Sequence, residues 1–231
     1  MSSFNGRVGP LTIATDGLVG CWDAAAQRSY PGSGTLWKDI SGQGNDATAN
    51  NSPTFVNQNG GYWNFDGINE YFTYDLYSGF DNAYIQAIDI SIEVWVRIED
   101  LTSCCGAYWA FGTAYFEMAP SSNTTNLYVR TGSPAWNAVS GGTNTDQWYC
   151  YTMTHGVGTT YKVYIDGILN STFTIGGTNI QFTHGTGSFG TNDPTSPLCL
   201  DGDIAVVRMY NRVLTASEVK QNYNSTKGRF A

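Results

Sequence analysis

The sequence predicts an all-β fold, namely two antiparallel sheets stacked as a β-sandwich and followed by one short C-terminal helix. Three observations predict it. Short apolar runs recur along the chain, 27 glycines supply turns between them, and charged residues make up only 13%. Long surface helices would need far more Lys and Glu. A chain of 231 residues fits one large all-β domain with a core that needs no disulfides.

The predicted strands follow the apolar runs. Ile88–Ile98 alternates apolar and polar residues over most of its length, as a half-buried strand does. Asp166-Gly167 predicts a two-residue hairpin, because these residues accept the positive backbone angles of such a turn. The hairpin strands are Tyr161–Ile165 and Ile168–Phe173, and the other predicted strands are Leu18–Trp22, Tyr62–Phe65, Tyr71–Tyr74, Tyr108–Phe111, Tyr115–Met118, Leu127–Arg130, Trp148–Thr154 and Gly202–Tyr210.

The one predicted helix lies near the C-terminus. Thr215 and Glu218 have the spacing of a capping box, which predicts a short helix from Thr215 to Tyr223. Strands and helices do not alternate, so parallel α/β folds are excluded. The stretch from Asp23 to Asn59 is rich in turn residues and is predicted to be loop.

The chain divides into a short arm and one domain. Residues 1–16 are polar and interrupted by Gly9-Pro10, which predicts an extended N-terminal arm, and residues 17–231 form the domain. An irregular segment with apolar residues can become ordered on a partner. The residues expected to dock in this way are Phe4, Val8, Leu11 and Ile13.

Charge and composition exclude several classes of partner. The formal net charge is −8, which disfavours phosphate backbones and anionic lipid surfaces, so we expect no nucleic acid and no membrane partner. The N-terminus lacks the apolar segment of a secretory leader. Five cysteines, including the pair Cys104-Cys105, do not complete a disulfide framework, and the cysteines and two histidines lack zinc-site spacing.

Several motifs, taken in order, resemble one known family. They are Gly17–Ala25, Ser29–Thr35, Trp37–Asn45, Gly60–Gly67, Ser91–Trp95, Tyr164–Gly167, Asp201–Ile204 and Leu214–Tyr223. Through these motifs the chain is similar to the concanavalin A-like, laminin-G-like jelly-roll domains, and within them to the subgroup found in structural proteins of tailed bacteriophages. The resemblance extends from about residue 17 to 229, and its C-terminal part is Gln221–Phe230.

The resemblance implies a fold, a set of roles and a metal. It implies two sheets of six or seven strands each, with roles in carbohydrate binding, adhesion or decoration of a virion surface. It also implies that calcium, the metal most often used in the family, is the one to consider. Loop oxygens of Asp39, Asp46 and Asp193 are the candidate ligands. Local hydrogen bonding within turns is the favoured explanation of these residues, and we expect no cofactor.

Some families with the fold that the resemblance implies are glycosidases, which use acidic residues alternating on one strand. Asp89 and Glu93 are four residues apart and could share a face, but a third carboxylate is missing from the pattern. No Gly-x-Ser-x-Gly motif is present. The sequence therefore predicts a protein that is not an enzyme and has no catalytic residues.

Sugar binding needs aromatic faces and planar polar groups. Trp136 and Asn137 lie among small polar residues and form the best candidate, with Trp109 and Tyr108 beside loop-like segments. An alternative for Trp136 is a side chain covering the edge of the sandwich or a subunit contact. Four other tryptophans lie in apolar runs and are predicted to be core residues: Trp22, Trp63, Trp95 and Trp148.

The leading hypothesis is a bacteriophage virion protein, exposed on the head or tail, that acts as decoration or as a weak glycan-binding adhesin. Its partners would be other virion proteins contacted through the arm, with a glycan as a further ligand, and a homo-oligomer is compatible with the sequence. One alternative is a carbohydrate-binding module of a secreted or cell-surface bacterial protein. The second alternative is a glycoside hydrolase, which the incomplete carboxylate pattern weakens.

Overall fold

The computed structural model shows a two-layer β-sandwich with one helix against an outer face. The prediction of an all-β jelly-roll sandwich is confirmed. The structure describes residues 12–75, 77–80, 83–101, 107–111, 116–120, 127–131, 136–139, 144–174, 186–192 and 199–230. Phe4, Val8 and Leu11 of the arm, Cys104, Cys105 and Asp193 lie outside these residues. Among the described residues each sheet has eight strands rather than the six or seven that the resemblance implied.

Seven strands of the first sheet follow the order β14-β13-β12-β7-β16-β5-β4. The eighth strand, β1, lies outside this linear order and pairs with β16. Its neighbouring strands are antiparallel. The strands are β1 (Leu18–Asp23), β4 (Thr54–Val56), β5 (Tyr62–Asp66), β7 (Ile90–Ile98), β12 (Trp148–His155), β13 (Thr160–Ile165), β14 (Ile168–Thr174) and β16 (Asp201–Tyr210).

The second sheet has the order β11-β10-β9-β8-β15-β6-β3-β2, and it is antiparallel as well. Its strands are β2 (Leu36–Trp37), β3 (Ala47–Asn50), β6 (Tyr71–Asp75), β8 (Trp109–Phe111), β9 (Phe116–Pro120), β10 (Leu127–Thr131), β11 (Trp136–Val139) and β15 (Thr186–Phe189). Short 3₁₀ turns span Ser78–Phe80, Ile85–Ala87 and Lys227–Arg229.

The core between the sheets is strongly aromatic. Trp22, Trp37, Trp63 and Phe72 have almost no exposed surface and belong to one continuous cluster. Trp37 contacts Phe72 edge-on, with ring centroids 5.5 Å apart. Edge-on contacts at this distance are favourable for aromatic pairs, and the rings fill the space between the sheets. The prediction that Trp22 and Trp63 are core residues is confirmed.

The stretch from Asp23 to Asn59 differs from the prediction of loop alone. It contributes β2, β3 and β4, which have two to four residues each. Their sequences are too short to show alternation, and they become strands because β5 and β6 offer paired edges. Trp37 anchors the segment in the core.

Helix α1 spans Ala216–Thr226, and Thr215 caps it. The Thr215 side chain accepts a hydrogen bond from the Glu218 amide, and the Glu218 carboxylate accepts one from the Thr215 amide, so the predicted capping box is confirmed. The helix lies on the outer face of the first sheet, where Val219 and Asn222 are buried. Of the helices in the described ranges, none is long and apolar enough to cross a membrane.

The last residues of the predicted arm contact this helix. The Ala14 amide donates to Asn222 Oδ1 at 2.8 Å, and Gln221 Nε2 donates to the Thr12 carbonyl at 2.6 Å. Ala14 is buried, whereas Ile13 is half-buried. Residues 12–16 therefore pack against the domain.

Candidate functional site

The sequence-predicted sugar contacts Trp109 and Tyr108 lie in the core. Both side chains are completely buried, and Tyr108 stacks on Tyr151 with ring centroids 5.4 Å apart. β8, which Trp109 begins, is flanked by strands on both sides, so a ring facing the other sheet is enclosed. The expectation that these two rings are available to a ligand is corrected.

Trp136 and Asn137 lie on β11, at one edge of the second sheet. Asn137 Nδ2 donates to the Tyr161 hydroxyl at 2.6 Å, which connects β11 to β13 of the other sheet. The backbone register pairs Trp136 with Arg130, and Arg130 with Glu117 on β9. Asn137 therefore has an inter-sheet role, and the glycan-binding role of this pair stays a prediction.

The candidate calcium ligand Asp39 is hydrogen-bonded to its own loop and to strand β1. Its carboxylate accepts from the amides of Cys21, Ser41 and Asn45 at 2.8–3.1 Å and from the Ser41 hydroxyl. Asp46 Oδ1 accepts from the Asp39 amide at 2.9 Å. Within the described parts of the chain, no three His, Cys, Asp or Glu residues form a metal-binding cluster. These contacts give both carboxylates a structural explanation.

The carboxylates considered for glycosidase chemistry are not brought together in a cleft. Glu93 is completely buried and forms an ion pair with Arg208 beneath α1. Asp89 lies just before β7, and its Oδ1 accepts from the Val157 amide at 2.8 Å. Glu93 has no exposed surface, so a sugar cannot reach it. The two carboxylates therefore cannot act together as a catalytic pair.

An aromatic groove lies on the outer face of the first sheet, beside the C-terminal end of α1. Its volume is about 450 Å³. Aromatic rings make up half of its lining, and three polar side chains surround them. The lining residues, which define this aromatic groove throughout, are Trp95, Gln147, Trp148, Asp166, Tyr223, Lys227, Gly228 and Phe230.

Strand geometry explains why these rings meet. Trp95 pairs in register with Cys150 on β12 and with Val206 on β16, and these three residues share the outer face of the sheet. Helix α1 carries Tyr223 onto that face, and its ring lies parallel to Trp95 at 5.5 Å. Phe230 follows the 3₁₀ turn after the helix and lies 4.7 Å from Trp95. The C-terminal segment thus completes a site that begins on β7.

Polar groups line the groove beside the rings. Asp166 occupies the predicted hairpin turn with φ 53°, and its Oδ1 accepts from the Cys150 amide at 3.0 Å. Burial raises the pKa of this carboxyl group above its ordinary value. Gln147 and Lys227 are exposed, and the Lys227 ammonium lies 5.4 Å from the Tyr223 ring centroid. Carboxylate, amide and ammonium groups can all bind sugar hydroxyls.

An ion pair between half-buried Arg97 and buried Asp203 supports one end of the groove. The Arg97 guanidinium lies 5.7 Å from the Trp148 ring centroid, and its Nε donates to Asp203 Oδ2 at 2.6 Å. Asn64 Nδ2 donates to the other oxygen of Asp203 at 3.0 Å. Burial raises the pKa of Asp203 to about 6, although these hydrogen bonds act in the opposite direction. Arg97 is thereby held over one face of Trp148.

A larger groove of about 550 Å³ lies near the start of α1. It is lined mainly by threonines and aliphatic residues, among them Thr159, Thr160, Val157 and Val213. Its aromatic residue, Tyr164, is only 3% exposed. We regard the aromatic groove as the better candidate because it combines half-buried rings with planar polar groups.

Sequence reasoning missed this groove. Trp95 and Trp148 were predicted to be core residues, and Trp95 is indeed 2% exposed, but both line the groove and Trp148 is only half-buried. The available signal was Tyr223 and Phe230 in the C-terminal segment, where an otherwise polar tail carries two aromatic residues.

The two stacked antiparallel sheets define the class of this domain, a jelly-roll β-sandwich. The chain belongs to the concanavalin A-like lectin/glucanases superfamily, whose family model matches residues 66–220. A comparison with curated proteins finds no match. The bacteriophage subgroup is not shown by these comparisons.

Solved structures of the same fold include parts of carbohydrate-active enzymes. A mutant of Trypanosoma rangeli sialidase that displays trans-sialidase activity aligns with TM-score 0.72 and 18% identity over 95% of this chain and 35% of that one. The same sialidase in complex with sialic acid aligns with TM-score 0.69 and 18% identity over 92% of this chain and 33% of that one. The chain thus spans about a third of the sialidase.

A third structure is matched almost over its whole length. Domain 4 of AbnA, a GH43 extracellular arabinanase from Geobacillus stearothermophilus in complex with arabinotriose, aligns with TM-score 0.65 and 17% identity over 89% of this chain and 98% of that domain. At such identities the likeness shows the fold alone. The prediction that the chain is not an enzyme is corrected accordingly: structures with this fold include parts of a sialidase and a domain of an arabinanase, so the fold gives no ground for excluding an enzyme.

Proposed function

We propose that this domain binds carbohydrate through the aromatic groove and acts as the glycan-recognising part of a carbohydrate-active protein. The observation that carries the proposal is the half-buried Trp148 ring, which lines the groove together with Asp166 and Gln147. Sugars expose apolar C–H faces that stack on aromatic rings, and their hydroxyls hydrogen-bond to carboxylates and amides. Membership of the lectin/glucanases superfamily and the arabinotriose complex of a domain with the same fold support this chemistry.

Binding to a panel of oligosaccharides tests the proposal. The panel contains arabino-, gluco-, galacto- and sialyl-oligosaccharides, and affinities are measured by isothermal titration calorimetry. We expect Trp148→Ala to weaken binding at least about tenfold, as loss of a central aromatic contact does. Trp136→Ala is the matched control, because it removes the same side-chain type from the sequence-predicted site on β11. Loss of binding in Trp136→Ala alone would place the glycan on the second sheet, and absence of binding to the whole panel would refute the function.

A hydrolytic function at the same groove is the second candidate. Asp166 lines the groove and has a pKa raised by burial, which is the property of a general acid. Glycosidases use two carboxyl groups, and among the described lining residues Asp166 supplies one. Incubation with the same panel, followed by detection of released sugars, tests this function. We expect Asp166→Asn to abolish any release, and release unchanged by this variant would exclude Asp166 as the acid.

The bacteriophage resemblance adds a proposal about location and partners. We propose that the domain is displayed on a virion, as a decoration of the head or as part of the tail, and is attached to other virion proteins through its N-terminal segment. Because residues 12–16 pack on α1, the attachment would use residues 1–11. Mass spectrometry of purified particles tests the location, and absence of the protein from them would contradict it. A secreted or cell-surface protein that carries this domain is the alternative location.

A further inference from the structure

Phe230 covers the face of Trp95 in the aromatic groove. The two rings lie 4.7 Å apart at an interplanar angle of 26°, which is a stacked arrangement. Phe230 also contacts the Trp148 ring at 4.4 Å. Tyr223 covers Trp95 from the helix, and together these rings leave Trp95 2% exposed. The flat ring of Phe230 thus occupies the place that a stacked sugar ring would take.

The Trp95 indole nitrogen is buried without a hydrogen-bond acceptor among the residues that the structure describes. Buried Trp N–H groups usually find a partner, and leaving one unsatisfied is unfavourable. The other buried members of the surrounding cluster are Tyr62, Cys150, Ala205 and Val206, and among them only Tyr62 carries a side-chain oxygen. Beneath Phe230 there is therefore an apolar aromatic face, and the edge of the same indole carries an N–H group without an acceptor in the described part of the chain.

The segment that carries Phe230 is held by the Arg229 side chain, by the Phe230 amide, which donates to the Lys227 carbonyl, and by the packing of the Phe230 ring itself. Phe230 follows the 3₁₀ turn Lys227–Arg229, and Gly228 in that turn has open space around it. The Arg229 guanidinium donates to Asp23 Oδ1, to the Asn59 carbonyl and to the Gly61 carbonyl at 2.8–3.0 Å. Since the segment forms no strand, it can move without breaking the sheet ladders.

We propose that the Trp95 face beneath Phe230 is a sugar subsite, which a pyranose ring enters by displacing Phe230. In the bound state the sugar ring stacks on the Trp95 face, and a hydroxyl group that extends past the edge of the indole accepts a hydrogen bond from Trp95 Nε1, whose N–H lies in the ring plane. Phe230 then competes with the sugar for the Trp95 face. The apparent affinity for the sugar is the intrinsic affinity multiplied by the fraction of molecules in which the subsite is open. This inference rests on the proposed glycan binding.

Removal of the competitor tests the subsite. For the best ligand of the panel, we expect Phe230→Ala to tighten binding by about three- to tenfold, because the closed state is lost. Arg229→Gln keeps the ring but removes the charged anchor, and it should tighten binding in the same direction. Tyr84→Ala is the matched control, because it removes an exposed aromatic residue that does not line the groove and should leave the affinity unchanged.

The indole N–H gives a readout that affinity alone does not. In ¹H–¹⁵N spectra, saturating ligand should shift the Trp95 Nε1–H resonance strongly, and Trp95→Phe should weaken binding while keeping a flat ring. Weaker or unchanged binding in Phe230→Ala would overturn the subsite and show that Phe230 is a wall of the groove. If neither the natural protein nor Phe230→Ala binds any sugar, the proposed function fails together with the subsite.

Discussion

Asn222 on α1 donates a hydrogen bond from Nδ2 to the Tyr210 hydroxyl on β16 at 2.9 Å, and both side chains are completely buried. The Tyr210 hydroxyl in turn donates to the Ala14 carbonyl at 3.1 Å, and the Ala14 amide donates to Asn222 Oδ1 at 2.8 Å. These three hydrogen bonds form a closed ring. It fastens the N-terminal segment, the last strand and the helix that carries part of the aromatic groove.

We expect Asn222→Ala to lower the free energy of unfolding by about 1–3 kcal/mol, because it leaves the Ala14 amide buried without its acceptor. Urea denaturation followed by fluorescence measures the change. Asn224→Ala is the matched control, since Asn224 is half-buried on the same helix and takes no part in the ring. Equal effects of the two substitutions would show that the ring contributes nothing specific.

The buried ion pair of Glu93 with Arg208 provides a second prediction. Glu93→Gln leaves the Arg208 charge without its partner in a dry environment, so we expect a loss of about 3–5 kcal/mol in the free energy of unfolding. Glu99→Gln removes a carboxylate that also pairs with an arginine but is 39% exposed, and it should cost at most about 1 kcal/mol. Denaturation curves of the two variants compare them directly, and a small loss in Glu93→Gln would contradict the prediction.

Gly202 lies where β16 passes between β5 and β7, with φ 151°. A Cβ atom there would lie 2.3 Å from the Arg97 carbonyl oxygen, so the backbone would have to move. We expect Gly202→Ala to lower the free energy of unfolding by about 1–3 kcal/mol more than Gly42→Ala. Gly42 also has a positive φ but has open space around it, so the difference in denaturation midpoint isolates the clash. Equal denaturation midpoints would show that the strand pairing around Gly202 adjusts to the added methyl group without a cost in stability.

Asp203 should make stability depend on pH. Burial raises its folded-state pKa to about 6 from an ordinary value of 3.8, so the folded protein binds the proton more tightly than the unfolded chain. The stability contributed by this group is therefore fully present below about pH 4 and is lost as the pH rises through about 6. We expect Asp203→Asn to flatten the change of melting temperature between pH 4 and 7. A variant that keeps the natural slope would contradict this assignment.

The pKa of Glu218 is shifted in the opposite direction to that of Asp203, so Glu218 serves as an internal control. Hydrogen bonds from Arg212 lower its pKa to about 2, so its contribution is present above about pH 4.5 and is lost as the pH falls towards 2. Glu218→Gln should change the melting temperature profile on the acidic side, where Asp203→Asn has little effect. The two variants thus separate the two pH windows.

Predictions from sequence succeeded where a few neighbouring residues decide the structure. The alternation in Ile88–Ile98 predicted the strand correctly, but β7 is buried on both faces rather than half-buried, because the C-terminal segment covers its outer face. The Asp166-Gly167 turn and the pair Thr215 and Glu218 each determine a local conformation and were predicted correctly. The predictions failed for β2 to β4, whose short sequences become strands only because a neighbouring edge accepts their hydrogen bonds. Pairing energy of that kind comes from residues far away in the chain.

By itself the sequence determined the all-β class, the main strands, the capped helix and the family to which the chain belongs. Only the tertiary structure decided which aromatic residues meet. Trp95 and Phe230 are distant in sequence, and they contact each other because β7 and the C-terminal turn share the outer face of one sheet. Conversely, Trp109 has a loop-like sequence context but lies in the core, because its strand is paired on both sides. Burial depends on what packs against a residue from elsewhere in the chain, and local sequence does not contain that information.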